Sequence, residues 1–382
     1  MDFPLTDDQK MIRDALKKFA DAELAPHAAD WDRSGEFPLE QYRACGRLGF
    51  LGMGFPEEYG GTPADLTARA ISHMEFSRAC AGFSLSVGAS MLLFGSNVLN
   101  LGSAAQKQKY LPPLLCGEKI GCWALTEPGA GSDALGISCS AARHGGDYIL
   151  NGSKTFITNA PAADFFIVLA RTGGERGRIQ GGSAFILERS DPGLHTGRPM
   201  DKLGMRCSPT GEIFLEDCRV PKDRLLGPEG MAFFGMMASL DVERALTSFL
   251  GIGIARAAFD TALRYAAERS QFGRPIGKFQ LIQAKLAEMH RDIEVTLGYA
   301  LAVLNMAEAG QRITRQSAVS KWQASRAAVR AADHAVQILG GYGYISEYPA
   351  ERYLRDAKLM DIGAGTSEIM QLLIARELLA RQ

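Results

Sequence analysis

The sequence lacks most of the features that mark secreted, membrane-spanning or nucleic-acid-binding chains. It has seven cysteines, an odd number, and no two form a C-x-x-C pair. Free, mostly buried thiols in a reducing compartment are therefore expected rather than a disulfide framework. Neither sign of charge is in excess: 42 Lys and Arg stand against 43 Asp and Glu, a net charge of -1. That gives no electrostatic footprint for a nucleic acid. No run of eighteen uncharged apolar residues suggests a membrane span. The opening MDFPLTDDQK has no basic and apolar leader, so no signal peptide is expected. The six histidines are scattered and no H-E-x-x-H occurs, so no catalytic metal is expected. No serine sits in G-x-S-x-G, which disfavours acyl hydrolysis.

What the chain does have is ordinary globular material, 46% apolar and 22% charged, over 382 residues. That length suits two or three domains. Residues 1–120 read as helical. Thr6 and Gln9 suggest a capping box, and Ile12, Leu16 and Phe19 follow at helical spacing. Further helices fit Leu39 to Leu48, Asp65 to Cys80, Ser84 to Leu101 and Ala104 to Leu115. The stretch Ser84 to Leu101 is nearly free of charge and should be buried. Residues 121–225 change to a period of two and read as a β-domain. Asn151-Gly152 is a hairpin signal, and Phe165 to Leu169 is an apolar run fit for a central strand. Residues 226–382 return to helical period. A long helix begins near Leu240, with further helices over Phe279 to Ala309, Arg312 to Leu339 and Glu368 to Leu379. Short joins between long helices imply an up-down bundle.

The densest chemistry lies between Gly121 and Ala160. GCWALTEPGAGSDA alternates small and hydroxyl residues around a Pro-Gly turn, which can bring N–H and hydroxyl groups to a phosphate or a ring carbonyl. NGSKTFITNA adds Thr158 and the aromatic Phe156, and the gap between the two parts is short enough for both to line one site. The runs T-E-P-x-A-G-S-D and K-x-F-I-T-N, with G-S-x-x-Q-K-x-K-Y-L-P at Gly102 to Pro112, resemble the acyl-CoA dehydrogenases over nearly the full chain. The resemblance implies an α+β chain with an N-terminal α-helical domain (1–120), a middle β-barrel domain (121–225) and a C-terminal four-helix bundle (226–382), usually a homotetramer. It implies FAD as cofactor. Trp123, Leu125, Thr126, Gly131, Ser132, Phe156 and Thr158 would contact it from the middle domain. R-x-x-F-G at Arg269, Phe272 and Gly273, and Q-x-x-G-G-x-G at Gln337, Gly340, Gly341 and Gly343, would contact it from the second half, partly across a subunit boundary. Arg269 suits pyrophosphate oxygens, and Thr366 would lie near the flavin. KLGMRCSPT, Lys202 to Thr210, also matches the family pattern, without a role legible from its residues.

Oxidising an acyl thioester needs a carboxylate to remove the α-proton. Many family members carry that glutamate in Y-E-G-T, but the matching run here is Gly363-Ala364-Gly365-Thr366, and an alanine takes no proton. The isovaleryl-CoA and long-chain dehydrogenases place it on the first long bundle helix, where this chain has Asp-x-Glu-Arg. I-G-A-G-T-S-E, Ile362 to Glu368, also resembles the isovaleryl-CoA type. Glu243 is thus the candidate base, at the edge of an uncharged run from Ala245 to Ala255 that would desolvate it. Arg244 would organise the site. Asp241, Ser132, Met91, Gly363 and Ala364 are candidate substrate contacts, and Val87 to Phe94 would lie near the acyl pocket. The implied activity is α,β-dehydrogenation of a short or branched acyl-CoA thioester by a cytoplasmic enzyme, with electrons leaving to an electron-transfer flavoprotein or to oxygen. Two alternatives stand beside it. One is an acyl or aminoacyl carrier-protein dehydrogenase or oxidase, such as a prolyl-carrier oxidase, docked by a patch such as Arg171, Arg176 and Arg178. The other is a non-redox protein that binds acyl thioesters.

Overall fold

A computed structural model describes residues 5–380, apart from the side chains at 236 and 238; Met1 to Pro4, the start of the segment read for a leader, lie outside it. The predicted capping box opens helix α1, Asp7–Phe19: Gln9 N donates to Thr6 Oγ1 at 3.2 Å and Thr6 N donates to Gln9 Oε1 at 3.0 Å. A π-helical turn, Ala20–Leu24, follows. Helix α2, Ala28–Ser34, went unseen in the sequence because it is short and mostly polar; it stops where Gly35 turns left-handed. Helices α3, Leu39–Arg47, and α4, Leu66–Ala79, fall where expected. The uncharged stretch is continuous helix: α5, Ala81–Gly88, a π-helical segment Ala89–Gly95, and α6, Ser96–Leu101. Helix α7, Ala104–Leu115, begins on a second capping box, Ser103 with Gln106.

The middle of the chain is a sheet of eight strands: β1 Gly121–Ala124, β2 Ser140–His144, β3 Asp147–Thr158, β4 Phe165–Arg171, β5 Gly182–Glu188, β6 Leu194–Thr196, β7 Thr210–Pro221 and β8 Leu225–Leu226. The order is β6-β7-β3-β2-β4-β5-β8, with β1 paired to β4 off that path. The predicted barrel is therefore wrong: the sheet is open and mixed. β1 and β2 run parallel to β4 while the other pairs are antiparallel. The end strands, three and two residues long, pair on one side only. Barrel closure needs a continuous staggered register around the ring; short edges leave little backbone unpaired. Asn151-Gly152 is not a turn either. The hairpin turn lies at Gly145-Gly146, between His144 and its partner Asp147. Asn151 sits mid-strand opposite a bulge in β7, where Asp217 takes φ 46° and exchanges hydrogen bonds with the Asn151 side chain.

Helix α8, Ala232–Glu268, starts earlier than Leu240. A Cβ at Gly251 would lie 3.1 Å from the Ala324 carbonyl, and one at Gly253 would overlap Ser77. The two glycines thus let α8 pack closely on its neighbours, as their low helix propensity suggested. A small hairpin follows, β9 Ser270–Gln271 and β10 Arg274–Pro275. Then come α9 Gln280–Glu308, α10 Thr314–Leu339, α11 Gly341–Tyr344, α12 Ala350–Lys358 and α13 Ser367–Leu379. Helices α8, α9 and α10 pack on one another, with α12 and α13 against α10, giving the expected helical bundle.

The N-terminal helices and the sheet share one core, in which Phe94 stacks on Phe165 at 5.9 Å. The segment from Lys202 to Thr210 joins three parts of the chain. Met205 N donates to Asp356 of α12, Arg206 Nε to the Asp32 carbonyl of α2 at 3.0 Å, and Ser208 Oγ lies 2.8 Å from Ser86 Oγ of α5. Two helical segments, Ala81–Leu101 and Ala232–Glu268, are long and apolar enough to cross a membrane, but most of each is buried inside the fold.

Candidate active site

The first half of the site is built by β1 and β3. Strand β1 delivers a half-buried Trp123 and leads to buried Leu125 and half-buried Thr126. Thr155 N donates to the Thr126 carbonyl at 2.9 Å, so the two sequence segments meet as expected. What fixes the loop is a pair that stands inside the two quoted motifs but was given no role from them. Lys154 Nζ, fully buried, donates to Glu127 Oε1 at 2.8 Å and to the Leu125 carbonyl at 3.1 Å. Glu127 also accepts from Ser138 N, Ser138 Oγ and Cys139 N. Burial pushes its carboxyl up, but Lys154 and these donors outweigh that and hold it below the usual carboxylate range. The clue in the sequence was register: Lys154 falls on the inward parity of Tyr148 and Leu150.

Beyond that anchor the chain opens. Gly131 and Ser132 are exposed, and a Cβ at Gly129 or Gly131 would meet nothing within 4 Å. Phe156 is 68% exposed at φ 56°, in a β3 bulge that turns its ring outward. Thr158 ends the strand half-buried. The next residue, Asn159, at φ 70°, donates to the Ser86 and Gly121 carbonyls at 2.9 and 3.1 Å and ties the strand to α5 and β1. An exposed aromatic in strained backbone, exposed or half-buried hydroxyls and uncrowded glycines suit a flat, polar-edged ring system and its phosphates.

The second half lies on α8. Glu243 is 8% exposed. Thr247 Oγ1 donates to its Oε1 at 2.9 Å, while Oε2 is buried with no hydrogen-bond partner. Burial raises this carboxyl above its ordinary value, against the opposing pull of Thr247, Arg244 and Lys321. Arg244 Nε donates to the Ala364 carbonyl at 3.4 Å, and its Nη1 lies 3.5 Å from Asp241. The Gly363-Ala364 turn is thus beside Glu243's helix. Ala364 is left-handed at φ 55°. Asp241 accepts from Thr314, and burial raises its carboxyl. Thr366 Oγ1 accepts from Ile369 N at 3.2 Å and caps α13.

Lys321 was also missed. It is fully buried on α10 and donates to the carbonyls of Met360 and Gly365 at 2.6 and 2.7 Å; burial pushes its ammonium down to about 8. Again the register carried the clue, because Lys321 shares the buried stripe of Ser317, Ala324 and Ala328.

Segment Ala89–Gly95 lies between the two halves. It packs on β1. Met91 belongs to the core of Trp123 and Leu125, and Leu92 to the cluster of Ala245 and Leu246. The remaining predicted residues form a separate group. Arg269 lies over the Tyr342 ring at 5.7 Å, and both line a cavity of about 460 Å³ with Gln271 and Gly341. Phe272 is 93% exposed, and Gln337 is exposed. No hydrogen bond, ion pair or ring contact joins this group to Thr126, Phe156 or Glu243 among the described residues.

Comparison with known proteins agrees with this geometry. The chain is 45% identical to the probable acyl-CoA dehydrogenase YngJ of Bacillus subtilis, over 99% of this chain and all of that one. The acyl-CoA dehydrogenase N-terminal, middle and C-terminal domains match residues 6–118, 122–218 and 231–379.

The chain belongs to the acyl-CoA dehydrogenase family. It is an FAD-dependent oxidoreductase that dehydrogenates acyl-CoA thioesters. The narrower isovaleryl-CoA resemblance is not singled out by its relatives. Identity is 41% to the isovaleryl-CoA dehydrogenase of Solanum tuberosum, covering 98% of this chain and 92% of that one. It is 42% to the short-chain specific acyl-CoA dehydrogenase of Mus musculus, covering 98% and 91%. Among solved structures, the butyryl-CoA dehydrogenase of Megasphaera elsdenii superposes with TM-score 0.96 and 38% identity, over 99% of this chain and 100% of that one. The prolyl acyl carrier protein oxidase AnaB does so with TM-score 0.94 and 33% identity, over 98% and 100%.

Proposed function

We propose that Glu243 is the general base of this acyl-CoA dehydrogenase and that its substrate is a short or branched aliphatic acyl-CoA. One observation carries the base assignment: a buried carboxylate whose Oε2 has no partner, one turn from its only hydroxyl donor and beside the Ala364 turn. Thr247 holds Oε1, which leaves Oε2 to take the α-proton. Desolvation makes that oxygen a stronger base than a surface carboxylate. Arg244 bridges Asp241 and the Ala364 carbonyl and so keeps the turn against α8. Gly363 and Ala364 offer backbone, rather than a carboxylate, to the thioester.

FAD supplies the acceptor for the β-hydride when bound. Trp123, Leu125, Thr126, Gly131, Ser132, Phe156, Thr158 and Thr366 would hold it from one chain. Arg269, Phe272, Gln337 and Gly341 would serve a neighbouring copy, since they are exposed and lie apart from the first group. Exposed Phe272, Leu281, Val295 and Leu372 support assembly of like chains, a homotetramer by the family's habit. A division at about residues 120 and 225 is our reading, supported by matches that span residues 6–118, 122–218 and 231–379. An electron-transfer flavoprotein is the acceptor we favour over oxygen. Seven unpaired cysteines, six of them buried, suit the reducing cytoplasm.

The apolar acyl group is supported by Met91, Leu92 and Phe94, which offer no counter-charge to a charged acyl end. Coenzyme A is favoured over a carrier protein because two of the three arginines suggested for docking are otherwise engaged, leaving Arg178 exposed. Arg171 donates to the carbonyls of Leu135, Ile137, Arg178 and Gln180, and Arg176 to that of Gly136. The test is anaerobic bleaching of the flavin by isovaleryl-, butyryl- and octanoyl-CoA beside prolyl and aliphatic groups on a carrier protein. Rapid bleaching by a short or branched CoA ester is expected. Bleaching by a carrier-bound group alone would overturn the assignment. No bleaching by any ester would favour the non-redox reading.

A further inference from the structure

Among the described residues, Lys321 is a buried cation with no direct anionic partner. Its ammonium has two protein acceptors, both neutral carbonyls, and these two bracket the turn that holds Ile362, Gly363 and Ala364. Glu243 is the converse, a buried carboxylate with one neutral donor and one bare oxygen. An isolated charge in such a place is costly, so each must be offset by charge nearby. The elements packed around Lys321 contribute Glu243 and Arg244 from α8, Asp361 from the turn after α12 and Glu368 from α13. Glu368 is exposed, and Asp361 is already bound by Lys358 and Ser367. Glu243 is the carboxylate with no cation hydrogen-bonded to it, and Arg244 and Lys321 are the two cations that act on it. Helix α10 meets α8 one turn beyond it, where Ser320 Oγ donates to Ser248 Oγ at 2.9 Å.

From this geometry we infer that Lys321 is a positioning residue for Glu243, stapling the 360–365 turn beside α8 and adding, with Arg244, positive charge that favours the ionised base. The inference rests on Glu243 being the base, but its two parts separate. The staple needs two hydrogen bonds to carbonyls, which a glutamine amide also provides. The ionisation needs the charge, which only a cation provides.

The experiment compares K321Q and K321R in the flavin-loaded enzyme. Difference infrared titration, referenced against E243Q, reads the Glu243 carboxyl itself without substrate. The pH dependence of flavin reduction is followed in parallel. In K321Q the Glu243 midpoint should rise by about one pH unit, the scale of losing one nearby opposite charge. The acidic limb of the rate profile should move with it, slowing reduction roughly tenfold on that limb. K321R should restore both. A Glu243 midpoint unmoved in K321Q overturns the proposal. Should K321Q fail to fold, K321R still tests the staple: a midpoint displaced upward despite the retained charge overturns it. Full-rate reduction by E243Q would instead overturn the base assignment, while the infrared midpoint stays readable.

Discussion

The protein buries two lysine–glutamate couples, and they are built in opposite ways. Lys154 and Glu127 touch at 2.8 Å, and both carboxylate oxygens accept further donors. Lys321 and Glu243 have no hydrogen bond or salt bridge to each other; each is held by neutral groups, and one carboxylate oxygen is bare. The first arrangement holds its carboxyl below the ordinary value, the second leaves it above. A carboxylate meant to fix a loop is satisfied completely. A carboxylate meant to accept a proton must keep a lone pair free and its affinity high, and the fold carries the cost of that unsatisfied oxygen.

Breaking the touching couple should give the largest effect. K154M strands a buried carboxylate and should cost about 3–5 kcal/mol in chemical denaturation. The double variant K154M/E127M should recover much of that loss. A K154M protein as stable as the parent would remove the contrast.

The second effect is one of sign. Glu127, with a lowered folded pKa, contributes stability at neutral pH that is lost as pH falls through that value. Glu243, with a raised one, does the reverse: the folded state binds its proton more tightly, so stability declines as pH rises from the unfolded value, about 4.3, through the folded one. E243Q should therefore gain stability relative to the parent on going from pH 4 to pH 7. Thermal melts at the two pH values measure it, and an equal difference at both would contradict the account.

Smaller effects concern the turn beside Glu243. T366A removes the cap of α13 and should cost about 1 kcal/mol. A364G relieves a left-handed alanine and should be neutral or stabilising by under about 1 kcal/mol. A marked loss on A364G would mean that the turn draws its shape from the methyl group rather than from Lys321 and Arg244.

The sequence made these regions legible to different depths. Helical spacing, with the Thr6–Gln9 capping box at α1, located α1, α3, α4 and α7, because those signals are local. The open sheet was not legible: strand order and edge pairing depend on contacts between distant segments, and β6 and β8 are too short to show a period. Asn151-Gly152 misled for a related reason, since a turn signal was outweighed by long-range pairing with β7. At the site, Glu243 was visible through its motif and the uncharged run after it. Lys154 stood in a quoted motif without a role, and Lys321 only as a lysine in buried register; both acquire meaning once the burial is seen. That Arg269 and Gly341 stand apart from Thr126 and Phe156 within one chain could not be read from spacing at all.

The most direct test of the account is the rate of flavin reduction by E243Q, measured by anaerobic stopped flow with a reactive acyl-CoA. The variant should carry FAD and fold normally, yet reduce at least ~10²-fold more slowly, the scale of general base catalysis. Reduction at the parent rate would contradict Glu243 as the base and with it the meaning given to its bare oxygen.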